Sequence, residues 1–232
     1  MAPVHPRIEA ALNLAQVWLD AHREYNGLPS VAAGVVLGEE LVWDAGFGLA
    51  NVAAGVPADG DTIFSICSIS KLFTSIACMQ LRDQGKLSLS DPVAQHLPWF
   101  ELTETVEDQR PITIEMLLTH SSGLPREAND AAYWSPPDFE FPTQEQIVAG
   151  LPGQTTLYES ATFGQYSNLG LSLVGEVVAA VSGQSYDEYV VENVLEPLGL
   201  TDTRPYFPED LHGRQMAIGY GGKGREYTIH HF

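Results

Sequence analysis

Two β-rich runs stand near the front of the chain: "SVAAGVVLG" from Ser30 to Gly38 and "ELVWDAGFG" from Glu40 to Gly48. Nearly everything after them reads as helix, and that imbalance limits the fold more than any other feature. The connection Gly38-Glu39-Glu40 is short enough to make the pair an antiparallel hairpin. Two strands, however, do not form a stable sheet in water. "RQMAIGYGG", from Arg214 to Gly222, offers the start of another strand. The chain must therefore bury a small sheet under helices, and the helices must pack mainly on one another.

The helical segments are marked by spacing and by caps. Ile8, Ala11, Leu12, Ala15, Leu19 and His22 recur at helical intervals and predict an amphipathic helix at the front. "NVAAGVPADGDT" reads as a loop. From Thr62 to Leu81, "TIFSICSISKLFTSIACMQL" predicts a helix with Ile69, Leu72, Phe73 and Ile76 as its apolar stripe, closed near Gly85. In "SLSDPVAQHLP", Ser90 or Asp91 is the expected N-cap and Pro92 the first helical residue. "PITIEMLLTHSSGLP" predicts a short helix running into a Gly-Pro turn, and the stretch from Arg126 to Pro142 a surface loop. "TQEQIVAGL", "NLGLSLVGEVVAAVSG" and "SYDEYVVENVLEPLGL" are further helices, the second ended by Gly183 and the third near Pro197.

Charge excludes several functions. Thirty acidic residues face eleven basic ones, a formal net charge of −19. Such a balance repels nucleic acid and anionic membranes. No segment is apolar enough to predict a membrane span. The first residues lack the basic-then-apolar blocks of a secretory signal, so the expected compartment is the cytoplasm. Cys67 and Cys78 would lie about 16 Å apart on one helix, too far for a disulfide.

The chemistry begins at Lys71, the one charged residue between Thr62 and Leu81. Burying an ammonium among apolar side chains is costly unless something uses it. Ser68 precedes it by three residues, so on a helix the two share a face. A serine in a first helical turn sits where unpaired N–H groups and the helix dipole favour negative charge. Its own N–H can then stabilise an oxyanion. The hydroxyl is a weak nucleophile until a base takes its proton, and a desolvated lysine one turn away can exchange or orient that proton. A lysine that merely snorkels to the surface is the competing explanation. A Ser-x-x-Lys pair alone arises by chance about one time in five in a chain of this composition.

A second candidate is "GQYSNLG". Tyr166 and Asn168, two apart on an extended segment, are expected to point to one side. A phenol held near an ammonium can act as a general base. Asn168 can hold a substrate carbonyl or cap the helix that follows.

Taken together, "SISK" from Ser68 to Lys71, "DQGKLSLSDPV", "LLTHSSGLP", "YSNLGLSLVGEVV", "SGQSYDEYV" and "EPLGLTDT" resemble the penicillin-recognising serine hydrolases. The likeness is nearest to class C β-lactamases, family VIII esterases and D-amino-acid peptidases, and runs from about Leu28 to Tyr220. It implies an α/β fold of the α+β type, an antiparallel sheet flanked by helices, with a helical lobe at about 85–200 in a single domain over 1–232. It also implies Ser68 as nucleophile, Lys71 as its proton partner, Tyr166 as base and Asn168 as a substrate-carbonyl ligand. Small esters, β-lactams or amides would be the substrates, with no cofactor and no metal. His120, in "LLTHSSGL", is expected to fix a loop.

Three departures qualify the likeness. Cys67 stands where the family often has glycine. "YESATFGQYSN" lacks the Pro-Gly turn that usually precedes the tyrosine motif. "GYGGKGREYTIHHF" does not match, by context, the Lys-Thr-Gly or His-x-Gly strand of the family. The sequence therefore reads as a family member cut short, its C-terminal sheet strands missing, weakly active or inactive, and prone to self-association through an exposed sheet edge. A lipase reading fails for want of a Gly-x-Ser-x-Gly elbow, and "GYGGKG" lacks P-loop spacing.

Overall fold

The computed structural model of the chain describes residues 5–103, 110–128, 142–206, 208–221 and 225–227. Two compact units divide it, one built on Met1–Ser65 with Phe207–His230 and the other on Ile66–Tyr206. Residues 129–141 of the predicted surface loop and the Gly222-Lys223-Gly224 segment lie outside the described residues.

The first unit opens with helix α1 (Pro6–Asn26), entered through Pro6 and closed by Gly27 at φ 64°. Of the predicted stripe, Ile8, Leu12, Ala15 and Leu19 are half-buried, whereas Ala11 and His22 are exposed. Leu14, Val17, Trp18 and Tyr25 line the other side and are exposed. Strands β1 (Ser30–Leu37) and β2 (Glu40–Asn51) form the expected antiparallel hairpin, Ser30 opposite Gly48 and Leu37 opposite Glu40, with a register shift at Val35/Val36.

The stretch expected to be all loop contains a third strand, β3 (Val56–Pro57), paired with the end of β2. Its cause is local. The Asn51 side-chain oxygen accepts the Ala54 N–H at 3.0 Å, and Gly55 turns at φ 66°, so the chain reverses within four residues. The sheet order is β1-β2-β3, and a separate pair joins β4 (Gly219–Gly221) to β5 (Arg225–Tyr227). Ala50, Ala58 and Ala217 form the buried cluster here, with Val56 and Phe64 packed on it. Two glycines permit the close approach. A Cβ on Gly46 would fall 2.3 Å from the Asp59 backbone, and Gly48, at φ 78°, would place one 2.1 Å from the Pro29 carbonyl oxygen.

The second unit is helical: α2 (Ser70–Asp83), α3 (Val93–His96), α4 (Ile114–Leu118), α5 (Gln144–Gly150), α6 (Asn168–Ser182) and α7 (Tyr186–Val190). The helix expected over Thr62–Leu81 starts later, as a single 3-10 turn over Cys67–Ile69 that passes into α2. Before that turn, Ile63 bridges to Met216 instead. The predicted α2 stripe is also corrected. Thr74, Ala77, Cys78 and Leu81 are buried, while Ile69, Leu72 and Ile76 are exposed and only Phe73 packs on the core. This helix carries apolar residues on more than one face, and the face with small residues lets it lie close against α6. Helix α6 is apolar on most sides and buries Leu169, Gly170, Leu171, Leu173, Val174, Val177 and Val178.

Local polar contacts complete the lobe. Asp91 is not an N-cap; Pro92 holds that position, and the Asp91 carboxylate accepts the Ser88 N–H at 2.8 Å and meets His96 Nε2 at 2.9 Å. Thr74 and Tyr186 share a hydrogen bond of 2.8 Å. The two cysteines form no disulfide, and burial pushes the Cys78 thiol up to about 11 against the opposing charge of Arg82. Among the described residues no helix is long and apolar enough to cross a membrane.

Candidate active site

Ser68 sits in the 3-10 turn ahead of α2, and Lys71 in the first turn of the helix proper. The turn is tight enough that Cys67 takes φ 47°, the left-handed region. For a side chain with a Cβ that costs about 1–2 kcal/mol. A glycine at this position would relieve that strain, which gives physical content to the departure seen in the sequence. Ser70 Oγ donates to the Cys67 carbonyl at 2.6 Å and holds the turn.

Lys71 Nζ donates to Ser68 Oγ at 3.4 Å, and Tyr166 Oη donates to the same oxygen at 2.7 Å. The three groups meet although Tyr166 is remote in sequence. Ser68 is exposed and Lys71 half-buried. Burial raises the Tyr166 phenol, but hydrogen bonds with Lys71 and Ser68, joined by the charges of Lys71 and Arg126, leave it below the usual tyrosine range.

The tyrosine segment is held by the loop after α4. His120 has φ 58°, again left-handed; its carbonyl accepts the Gln165 N–H at 2.8 Å, and its Nδ1 accepts the Ser167 N–H at 3.2 Å. Nδ1 as acceptor fixes the neutral ring as the Nε2–H tautomer. Burial, then the Lys71 charge, hold His120 below the usual histidine range, which favours that neutral form. The His120 and Tyr166 rings lie 4.6 Å apart, tilted by 38°. Further along, Ser167 Oγ donates to the Pro125 carbonyl at 2.7 Å, and the Asn168 N–H donates to the Arg126 carbonyl at 2.7 Å. The missing Pro-Gly turn is replaced at Ala161, which turns at φ 62° with its N–H on the Ser121 carbonyl at 2.8 Å.

Asn168 departs from the sequence reading. It is the first residue of α6 rather than part of an extended segment, and Ser167 is the N-cap, its Oγ accepting the Gly170 N–H at 2.9 Å. The Asn168 amide nitrogen donates to Glu127 Oε1 at 2.6 Å. Two neighbours of the site were not singled out from sequence. The Arg126 guanidinium lies 5.3 Å from the Tyr166 ring centroid, and Arg126 Nε donates to Glu127 Oε1 at 3.1 Å. Both open the segment that pattern alone assigns to a surface loop. No group of three or more His, Cys, Asp or Glu side chains gathers to hold a metal among the described residues.

A small antiparallel sheet with a helical lobe carrying a serine, a lysine one turn on and a tyrosine brought to both defines a β-lactamase-like α+β protein. Residues 18–228 match the Beta-lactamase family model, and the chain belongs to that family. It is 32% identical over 191 residues to beta-lactamase-like protein 2 of Dictyostelium discoideum, covering 79% of this chain and 34% of that one. To the D-alanyl-D-alanine-carboxypeptidase/endopeptidase AmpH of Escherichia coli strain K12 it is 31% identical over 197 residues, 85% of this chain and 50% of the other. Among solved structures, the octameric penicillin-binding protein homologue from Pyrococcus abyssi matches with a TM-score of 0.76 and 29% identity, over 94% of this chain and 51% of that one. The chain thus spans about half or less of the length of these relatives.

Proposed function

We propose that this chain is a serine hydrolase that forms an acyl-enzyme at Ser68 with esters, β-lactams or small amides. One observation carries the reading: Ser68 Oγ receives both Tyr166 Oη at 2.7 Å and Lys71 Nζ at 3.4 Å. In the reaction the proton runs the other way. The Tyr166 phenolate, stabilised by the Lys71 ammonium, takes the Ser68 proton as Oγ bonds to the carbonyl carbon. The carbonyl electrons move to oxygen, where the Ser68 N–H is the nearest donor by chain position. As the intermediate collapses, the bond to the leaving group breaks and Tyr166 returns the proton to it. Water, deprotonated by Tyr166 in a second round, releases the acid and restores the serine. Asn168 is the proposed ligand for a substrate carbonyl or amide, in exchange with Glu127.

A second reading is a relative that binds through the same residues but turns over poorly. Its support is the exposure of Ser68, Ile69 and Leu72, which leaves the nucleophile open to bulk water and weakens electrostatic help. Labelling with a fluorophosphonate and with a penicillin, followed by intact-mass measurement, separates the readings. A stoichiometric adduct lost in Ser68→Ala, and formed about 100-fold or more slowly in Tyr166→Phe, is the expected result. An adduct that survives Ser68→Ala, or none at all, sinks the hydrolase reading.

A further inference from the structure

We propose that Arg126 is a positioning residue for this chemistry: its guanidinium, held against the Tyr166 ring, favours the phenolate over the phenol. The inference rests on Tyr166 being the base at Ser68. Three groups surround the ring: His120 at 4.6 Å between centroids, Lys71 Nζ at 5.0 Å and Arg126 Cζ at 5.3 Å from the ring centroid. Two of them are cations, in a chain with eleven basic residues against thirty acidic ones. A cation against an aromatic ring is attracted to its electron-rich face, and that attraction grows when the phenol loses its proton. The third neighbour, His120, accepts the Ser167 N–H at Nδ1, an arrangement that favours the neutral ring and leaves Lys71 and Arg126 as the cations against the phenol.

The placement of Arg126 is built by the backbone. Its carbonyl accepts the Asn168 N–H at 2.7 Å and the Leu169 N–H at 3.3 Å, which ties the residue to the first turn of α6 beside the tyrosine. Glu127 then aims the guanidinium. Its side chain is 11% exposed against 62% for Arg126, and its Oε1 takes both Arg126 Nε and Asn168 Nδ2. The carboxylate therefore offsets part of the arginine's charge while fixing its direction. Lys71 Nζ donates to the nucleophile Ser68 Oγ at 3.4 Å and also acts on the Tyr166 phenol. Arg126 meets the base through its ring and meets Asn168 through the shared Glu127 Oε1.

The test titrates Tyr166 directly in the full chain, using tyrosine labelled with carbon-13 at Cζ and Tyr166→Phe to identify its signal. Because Arg126 is mostly solvated, its effect is screened, and Arg126→Gln is expected to raise the Tyr166 midpoint by about half a pH unit. Arg126→Lys, which keeps the charge, should stay within about 0.2 units of wild type. Added salt should raise the wild-type midpoint more than that of Arg126→Gln, in which only the Lys71 charge remains to be screened. In the labelling assay, at pH values below the midpoint, Arg126→Gln should react about threefold more slowly than wild type. A midpoint unchanged in Arg126→Gln, or moved as far by Arg126→Lys, overturns the proposal. If Arg126→Gln fails to fold, Arg126→Met takes its place, and an unmoved Tyr166 midpoint there overturns the proposal. If Ser68 is never acylated yet the midpoints shift as expected, the hydrolase reading falls and the tuning of Tyr166 by Arg126 stands.

Discussion

The two units of this chain bury very different things. In the helical unit, Leu81, Ile114, Leu117, Leu173, Val174, Val177 and Val178 are fully buried and join one continuous cluster. In the unit that holds the hairpin, the buried cluster is Ala50, Ala58 and Ala217, and α1, although 21 residues long, has no buried residue at all. Helix length and periodicity therefore say little about how much a helix contributes; the number of faces it can press against neighbours decides. At about 25 cal/mol per Å² of apolar surface removed from water, large aliphatic side chains at zero exposure hold the helical unit. The hairpin unit depends more on backbone geometry. All of Ser68, Lys71, Tyr166, Asn168, His120 and Arg126 lie in the helical unit, where rigid packing can hold their relative positions.

This contrast can be broken first by truncating one leucine in each unit. Leu173→Ala, at 0% exposure in α6, is expected to cost about 2–5 kcal/mol. Leu14→Ala, at 71% exposure in α1, is expected to cost less than about 0.5 kcal/mol. Urea unfolding measures both, and equal losses would remove the contrast. The next effect in size tests the geometric dependence of the hairpin. Gly48→Ala forces a Cβ into the Pro29 carbonyl at a positive φ and is expected to cost about 3 kcal/mol. Hydrogen exchange should show the loss concentrated in β1 and β2, and uniform loss across α6 would argue against two separable units.

His120 sharpens the comparison inside the helical unit, because there too a strained backbone is kept. His120→Ala removes the acceptor for the Ser167 N–H at an unchanged left-handed backbone, so it should destabilise by about 2 kcal/mol and slow labelling of Ser68. His120→Asn, which tolerates that φ and still offers an acceptor, should recover most of both. If Asn does no better than Ala, the acceptor role is wrong.

The smallest effect is Asp91. Its carboxyl is held below the usual range by the Ser88 N–H first and then by His96, so its contribution is present above the unfolded value near 3.9 and lost as pH falls through the folded one. Asp91→Asn should cost about 1 kcal/mol at neutral pH and less at pH 2. A variant that loses stability equally at both pH values would place the effect elsewhere.

Several features were legible because they are local. The hairpin follows from two β-rich runs around Gly38-Glu39, and the end of α6 from Gly183, which takes the left-handed cap at φ 76°. Ser68 and Lys71 share a face by spacing alone. The short strand β3 was not legible, since its two residues carry no pattern and its turn depends on one Asn51 contact. The α2 stripe failed for another reason. Ile69, Leu72 and Ile76 satisfy helical periodicity as well as Thr74, Ala77, Cys78 and Leu81 do, and hydrophobicity favours the wrong set.

By itself the sequence determined the family, the hairpin followed by a run of helices, and the serine and lysine one turn apart, because caps, turns and helical spacing act over a few residues. Tertiary structure decided which face of α2 is buried, that Asn168 opens a helix and reaches Glu127, and that Arg126 and His120 flank Tyr166. Those outcomes depend on contacts between segments far apart in the chain, where close packing selects one of several arrangements that local preference leaves equal.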